Sequence, residues 1–329
     1  MKTFIRVMPL IVFVAFLLAI RIGGCQIFPV LPSESGTLSP TPVVSSTETS
    51  DSSQTVSHET SGASVVPSKT DNTSLPSETT VMPTATGPLS DNNQSLGWSF
   101  TYADPAGQDI PTGIPDSVRK MIDKYNVIWQ LPLTDRKVVY LTMDNGYEFN
   151  NYTGQILDTA KMKGVPITFF IIGSYLTNNT DLVIRMAEEG HTVANHSYIH
   201  PDTVKMLDEK GAEAVIADIH RLETAYKDLT GQDMVKLYRP PSGVYSERLL
   251  DLMSREGYKT VFWSFAYSDW LTDDQPDPAE AKARILGQLH NGSIILLHAV
   301  SKTNTELLPE LIDEIRARGY EFASLDDIP

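Results

Sequence analysis

From Val138 onward, short β-prone apolar runs alternate with stretches whose apolar positions recur at helical spacing. The runs cover Val138 to Met143, Ile167 to Ile172, His191 to Asn195, a short stretch near Leu237, Thr260 to Phe265, Ser293 to Leu297 and a weak one at Tyr320 to Ala323. Between them the spacing predicts helices near Gly154 to Lys163, Leu182 to Glu189, Gly211 to Leu229, Glu247 to Glu256, Pro278 to Leu289 and Thr305 to Arg318. An earlier helix is expected from about Pro115 to Tyr125, with Asp116 near its start as a cap. Strand followed by helix, repeated about seven times, predicts an α/β fold with a parallel sheet covered by helices. A barrel and an open doubly wound sheet both satisfy that alternation.

The N-terminal part has a different character. Lys2 and Arg6 precede an apolar run from Val7 to Ile20, and Arg21-Ile22-Gly23-Gly24-Cys25 follows. Residues 1–25 are expected to be a signal peptide, because the apolar run is shorter than the roughly 20 residues of a membrane-spanning helix. Its end resembles the lipobox of bacterial lipoproteins, which implies a membrane partner through a lipid on Cys25; an uncleaved N-terminal segment acting as the anchor is the alternative, and both imply an extracytoplasmic location. Cys25 is the only cysteine, so no intrachain disulfide forms. Residues 26–95 are dominated by Ser, Thr and Pro, with no aromatic residue between Phe28 and Trp98. Such a segment buries too little apolar surface to offset a backbone ordering cost of about 1 to 2 kcal/mol per residue, and it is expected to be a disordered tether. Residues 96–136 are expected to form a lead-in, beginning at Leu96-Gly97-Trp98 and packed on the domain, and residues 137–329 the main folded domain. The formal charge of -15, with no cluster of Lys and Arg, argues against nucleic acid as a partner.

Five segments at or just after strand-like runs carry candidate chemistry. Leu141-Thr142-Met143-Asp144-Asn145-Gly146 puts a carboxylate where parallel α/β enzymes place reactive groups. Asn195-His196-Ser197-Tyr198-Ile199-His200 offers two imidazoles that converge on one ion if the segment coils into a turn. Tyr238-Arg239-Pro240-Pro241-Ser242-Gly243 supplies an arginine able to orient a carboxylate and keep it ionised. Ser268-Asp269-Trp270 and Ile295-Leu296-Leu297-His298 together have the make-up of an oriented general acid. Taken singly, each also fits a plain alternative: turn chemistry for Asp-Asn-Gly, loop histidines, a surface arginine, a core histidine.

In this order the five segments resemble the motifs of the NodB-homology polysaccharide deacetylases, the fourth carbohydrate esterase family. Asp144-Asn145-Gly146-Tyr147-Glu148, Gly97-Trp98, Val244-Tyr245-Ser246-Glu247 and Ser324-Leu325-Asp326-Asp327 resemble the delta-lactam branch, which acts on N-acetylmuramic acid in peptidoglycan. The resemblance implies a distorted (β/α)7-type barrel and metal-dependent removal of an acetyl group from a cell-wall glycan. It implies Asp144 as general base, Arg239 as its orienting partner, and His298 as general acid positioned by Asp269. His196, His200 and Asn145 are implied as ligands of zinc or a similar divalent ion, and the backbone N–H of Ser242 as an oxyanion donor.

This chain departs from the family pattern at two places. Most members have an aspartate where Asn145 stands, and the delta-lactam branch shares the Asn. An amide oxygen is a weaker metal ligand than a carboxylate. The Ser242 position is often tyrosine in the wider family and can be arginine in the muramic-acid branch. Other functions consistent with the motifs are a chitooligosaccharide deacetylase, an acetyl-xylan esterase, or a glycan-binding lipoprotein without catalysis.

Overall fold

The computed structural model describes residues 87–328, apart from Pro105, Leu133 and Thr134. The expected signal segment at 1–25 and residues 26–86 of the expected tether lie outside the described residues. The lead-in contributes β1 (Leu96–Gly97), α1 (Asp116–Ile122) and β2 (Val127–Ile128). The first half of the domain follows with β3 (Val138–Asn145), α2 (Tyr152–Lys163), β4 (Thr168–Ile171), α3 (Gly173–Asn178), α4 (Thr180–Glu188), β5 (Thr192–Asn195), α5 (Thr203–Lys210) and α6 (Ala212–Thr230). The second half contains β6 (Leu237–Tyr238), β7 (Val244–Tyr245), α7 (Glu247–Arg255), β8 (Lys259–Val261), α8 (Pro278–Gly287), β9 (Ser293–His298), α9 (Lys302–Ala317) and β10 (Glu321–Phe322).

Strands β9, β3, β4, β5, β6 and β8 pair in that order, all parallel, with β2 added outside β8 and β10 against the start of β3. Beyond β8 the chain makes one parallel bridge, Phe265 to Ile295, back to β9. The sheet is therefore a curled half-barrel whose edges meet only through short contacts, that bridge and an antiparallel one from Gln130, just after β2, to Ser293 of β9. The alternation is met, but β6 and β10 are only two residues long, which leaves the barrel distorted. Strands β4, β5 and β6 are buried throughout, as expected for parallel strands covered on both faces by other elements. Helix α9 turns Leu307, Leu308, Leu311, Ile312 and Ile315 into the core against Ile156, Leu157 and Ala160 of α2. Among the described residues, no helix is long and apolar enough to cross a membrane.

Three expectations are corrected. Helices α3 and α5 were not anticipated. The strand expected at Thr260 to Phe265 stops at Val261: Phe262 N–H makes the last bond to Ile128 of β2, and the chain then turns to β9, where Ser264 N–H bonds to the Ile294 carbonyl. The tether does not extend to residue 95. Residues 87–95 lie as a strap along α7, where Arg255 donates to the carbonyls of Gly87 and Pro88, and Arg248 to those of Ser90 and Asp91. Ser90 N–H bonds to Asp251 at 2.8 Å, and Ser246 to Asn93 at 2.6 Å.

The strap leads into β1, which pairs antiparallel with β7. Trp98 then stacks on Phe262, with ring centroids 4.2 Å apart, and donates its indole N–H to the Trp263 carbonyl at 2.9 Å. These contacts brace the turn that follows Arg239 from behind.

Candidate active site

Asp144 and His298 sit opposite each other in the β3–β9 register, at the C-terminal ends of both strands. Parallel pairing alone brings these two segments together. Asp144 projects where Arg239, from the end of β6, can reach it. One guanidinium nitrogen of Arg239 donates to Asp144 Oδ1 at 2.7 Å and the other to Thr142 Oγ1 at 2.9 Å, while Nε donates to the Val261 carbonyl at 3.2 Å. Arg239 is wholly buried, with its guanidinium carbon 4.0 Å from the centroid of the Phe170 ring. Burial alone would raise the Asp144 pKa. Arg239, with His196 and His298, outweighs it and holds the carboxyl below the ordinary carboxylate value. The Asp144 side chain keeps 11% of its surface accessible, enough to meet a substrate.

The histidine pair follows β5. His196 Nδ1 lies 2.8 Å from the Arg239 carbonyl, which can only accept, so Nδ1 carries the proton and Nε2 presents a lone pair. That Nε2 is 3.5 Å from Asp144 Oδ2. Burial pushes the His196 pKa down to about 4, although Asp144 pulls the other way, so the ring is neutral near pH 7. His200 reaches the same spot because the loop coils tightly: Ser197 and His200 adopt φ of 69° and 52°, and the two rings end with centroids 5.0 Å apart. Side chains hold this uncommon backbone. Asn195 Oδ1 accepts from Ser197 N–H at 2.8 Å, Ser197 Oγ from His200 N–H at 3.0 Å, and Asp218 from Tyr198 N–H at 2.8 Å.

His298 is held by Asp269. Asp269 Oδ1 lies 2.7 Å from His298 Nδ1, and Oδ2 accepts from the His298 backbone N–H at 2.8 Å and from Asn304 at 2.6 Å. Tyr267 O–H donates to Asn304 in turn. Burial disfavours the charged His298 ring, but Asp269 overrides it with help from Asp144, and the pKa lies above the ordinary histidine value. With Nδ1–H directed at Asp269, the proton on Nε2 is the transferable one. The Trp270 ring stands edge-on to His298 at 5.5 Å.

Ser242 is exposed on the turn after Arg239, at φ 56°. Gly243 beside it has φ 65°, and a Cβ there would meet the Trp263 ring at 2.7 Å, so only glycine fits this turn. Asn145 is fully buried, with its amide nitrogen 3.3 Å from Thr153 Oγ1 and its Oδ1 without a partner. Glu148 closes the same neighbourhood, accepting from Thr153 N–H and from Tyr175 O–H, each at 3.3 Å. Among the described residues, no group of three His, Cys, Asp or Glu converges as a metal site. A divalent cation still fits the donors present: two imidazoles, one with a tautomer that frees Nε2, and an orphaned buried amide oxygen.

All eight residues singled out from sequence thus lie at strand ends or the turns following them on one face. Thr142, Phe170, Glu148, Thr153, Tyr175 and Asn304 were not foreseen, because their contacts span elements. Only Asn304 carries a local sign, three residues after the N-cap Ser301 of α9.

A sequence profile described as polysaccharide deacetylase matches residues 133–261. The chain is 43% identical over 237 residues to an uncharacterized 30.6 kDa protein of Geobacillus stearothermophilus, covering 72% of this chain and 86% of the relative. It is 36% identical over 236 residues to the peptidoglycan-N-acetylmuramic acid deacetylase PdaA of Bacillus subtilis, with the same two coverages. The solved structure of PdaA, a family 4 carbohydrate esterase, superposes with a TM-score of 0.66 over 71% of this chain and 97% of PdaA. A family 4 carbohydrate esterase from Bacillus anthracis, 38% identical, gives 0.57 over 73% of this chain and 98% of its own. The chain belongs to the polysaccharide deacetylase family, the NodB-homology or family 4 carbohydrate esterases, and is a metal-dependent hydrolase of carbon–nitrogen bonds other than peptide bonds.

Proposed function

We infer that this enzyme removes the acetyl group of N-acetylmuramic acid in peptidoglycan, releasing acetate and a free amino sugar. One observation carries the chemistry: a carboxylate kept ionised by Arg239 faces, across adjacent strands, an imidazole kept protonated by Asp269. Likeness to PdaA supports the choice of sugar.

Amide hydrolysis needs water to add to the acetyl carbon, one proton to leave that water, and one to reach the departing nitrogen as the C–N bond breaks. Asp144 accepts the first. Arg239 fixes its orientation and favours its ionised form, the one that can act as base. His298 Nε2–H delivers the second proton, and Asp269 holds the ring so that the same nitrogen always points outward. The Ser242 backbone N–H, on a turn held between Trp98 and Trp263 at Gly243, is the donor for the oxygen that gains charge. His196, His200 and the Asn145 amide oxygen would hold the divalent ion, zinc or a similar metal, which supplies polarisation of the carbonyl and a lower pKa for water. The basic, apolar leader ending in Cys25 supports export and lipid anchorage on the outer side of the membrane.

The pH dependence follows from the two shifts. Asp144 titrates below its ordinary value and His298 above its own, so kcat/KM holds a plateau between them, falling on the alkaline side as His298 loses its proton. Asp269→Asn removes the charge that sustains the imidazolium. The alkaline limb then moves to lower pH while the acid limb stays in place, as a pH–rate profile measures. The sugar is tested by mass spectrometry of muropeptides after treatment of purified peptidoglycan. Loss of the acetyl group from muramic acid is expected; loss from glucosamine alone rejects the assignment.

A further inference from the structure

Among the described residues, five large apolar side chains are exposed: Ile110, Tyr147, Met162, Ile199 and Leu271. Three of them fall within three positions of residues in the candidate site. Tyr147 follows Asp144, Ile199 lies between the two histidines, and Leu271 follows Asp269, with 52%, 55% and 42% of their surfaces accessible. All three stand on loops after β3, β5 and β8, hence on the catalytic face.

Their exposure is enforced by the backbone. The loop bearing Ile199 is fixed by the Ser197, Tyr198 and His200 amide bonds described above, with two residues in the left-handed region. Leu271 is pinned through its carbonyl, which accepts from the Gln275 side chain at 2.6 Å and from Asp274 N–H at 3.3 Å. Next to Tyr147, Glu148 is bound to Thr153 and Tyr175. Rigid presentation of apolar groups around a polar centre marks a binding rim.

We propose that Tyr147, Ile199 and Leu271 form a rim that binds the sugar units flanking the one being deacetylated, so that the enzyme selects long glycan strands over short fragments. This rests on the active site assigned above. Pyranose rings carry apolar C–H faces that pack on an aromatic ring or an aliphatic side chain, and a polysaccharide extends on both sides of the reacting unit. None of the three is the acid, the base or a metal ligand of the reaction assigned above, so they contribute to binding of the polymer and not to the chemical step.

Tyr147→Ala, Ile199→Ser and Leu271→Ser are compared with the unmodified full chain on a long peptide-free glycan and on a disaccharide of the same composition. Whichever acetylated glycan the unmodified chain turns over is used, so a wrong choice of sugar shows in that enzyme alone, before any variant is judged. On the polymer, KM is expected to rise about tenfold for each variant with kcat retained, and Tyr147→Phe is expected to restore the low value. Disaccharide kinetics stay unchanged. Equal losses on both substrates, a fall confined to kcat, or no change on the polymer would each overturn the proposal.

Discussion

Asp144→Asn is expected to lower acetate release by about 10²- to 10⁴-fold, the range that a positioned general base contributes. The exchange keeps the side-chain shape and leaves an amide oxygen to accept from Arg239, so the loss reads out the proton acceptor and not a collapsed site. Circular dichroism of the variant should match that of the parent, and KM should change far less than kcat. Retention of turnover at the parental level would remove Asp144 from the mechanism.

Arg239→Met is expected to produce the largest loss of stability. The guanidinium is wholly buried and bonded to Asp144, Thr142 and the Val261 carbonyl, so its removal leaves a largely buried carboxylate without its counterion. Breaking a buried pair from one side costs about 3 to 5 kcal/mol, seen as a lower urea midpoint with an unchanged slope. Combining it with Asp144→Asn removes both charges. The double variant is expected to lose less stability than the two single variants summed, because neither partner is then stranded. Strict additivity in that cycle would mean that the pair does not couple.

Much of this was legible in the chain. Strands β3, β4, β5 and β9 follow from apolar runs, because parallel strands buried on both faces have no polar alternation to blur them. The eight site residues followed from strand-end chemistry and the order of the motifs. What stayed hidden depends on contacts distant in sequence. Asp144 and Arg239 are 95 residues apart, and nothing local indicates which carboxylate the arginine meets. The closure of Asp269 by Asn304 crosses 35 residues. Helix α5 begins just after Pro201 and its apolar face is short, so its eight residues read as loop. Ser90-Asp91-Asn92-Asn93-Gln94 reads as tether for the opposite reason, since its order comes from Ser246, Glu247, Arg248 and Asp251 of another segment.

That strap has a topological consequence. It pairs with the first residues of α7 through Asn92 and Asn93, and with the last through Gly87 and Pro88. Helix α7 starts beside the turn after Arg239 and ends just ahead of β8, so it descends from the catalytic face to the N-terminal ends of the strands. Followed backward from Trp98, the strap therefore runs away from Asp144 and His298, and Gly87 lies on the far side of the domain from them. A polymer can enter and leave the catalytic face sideways without meeting the strap.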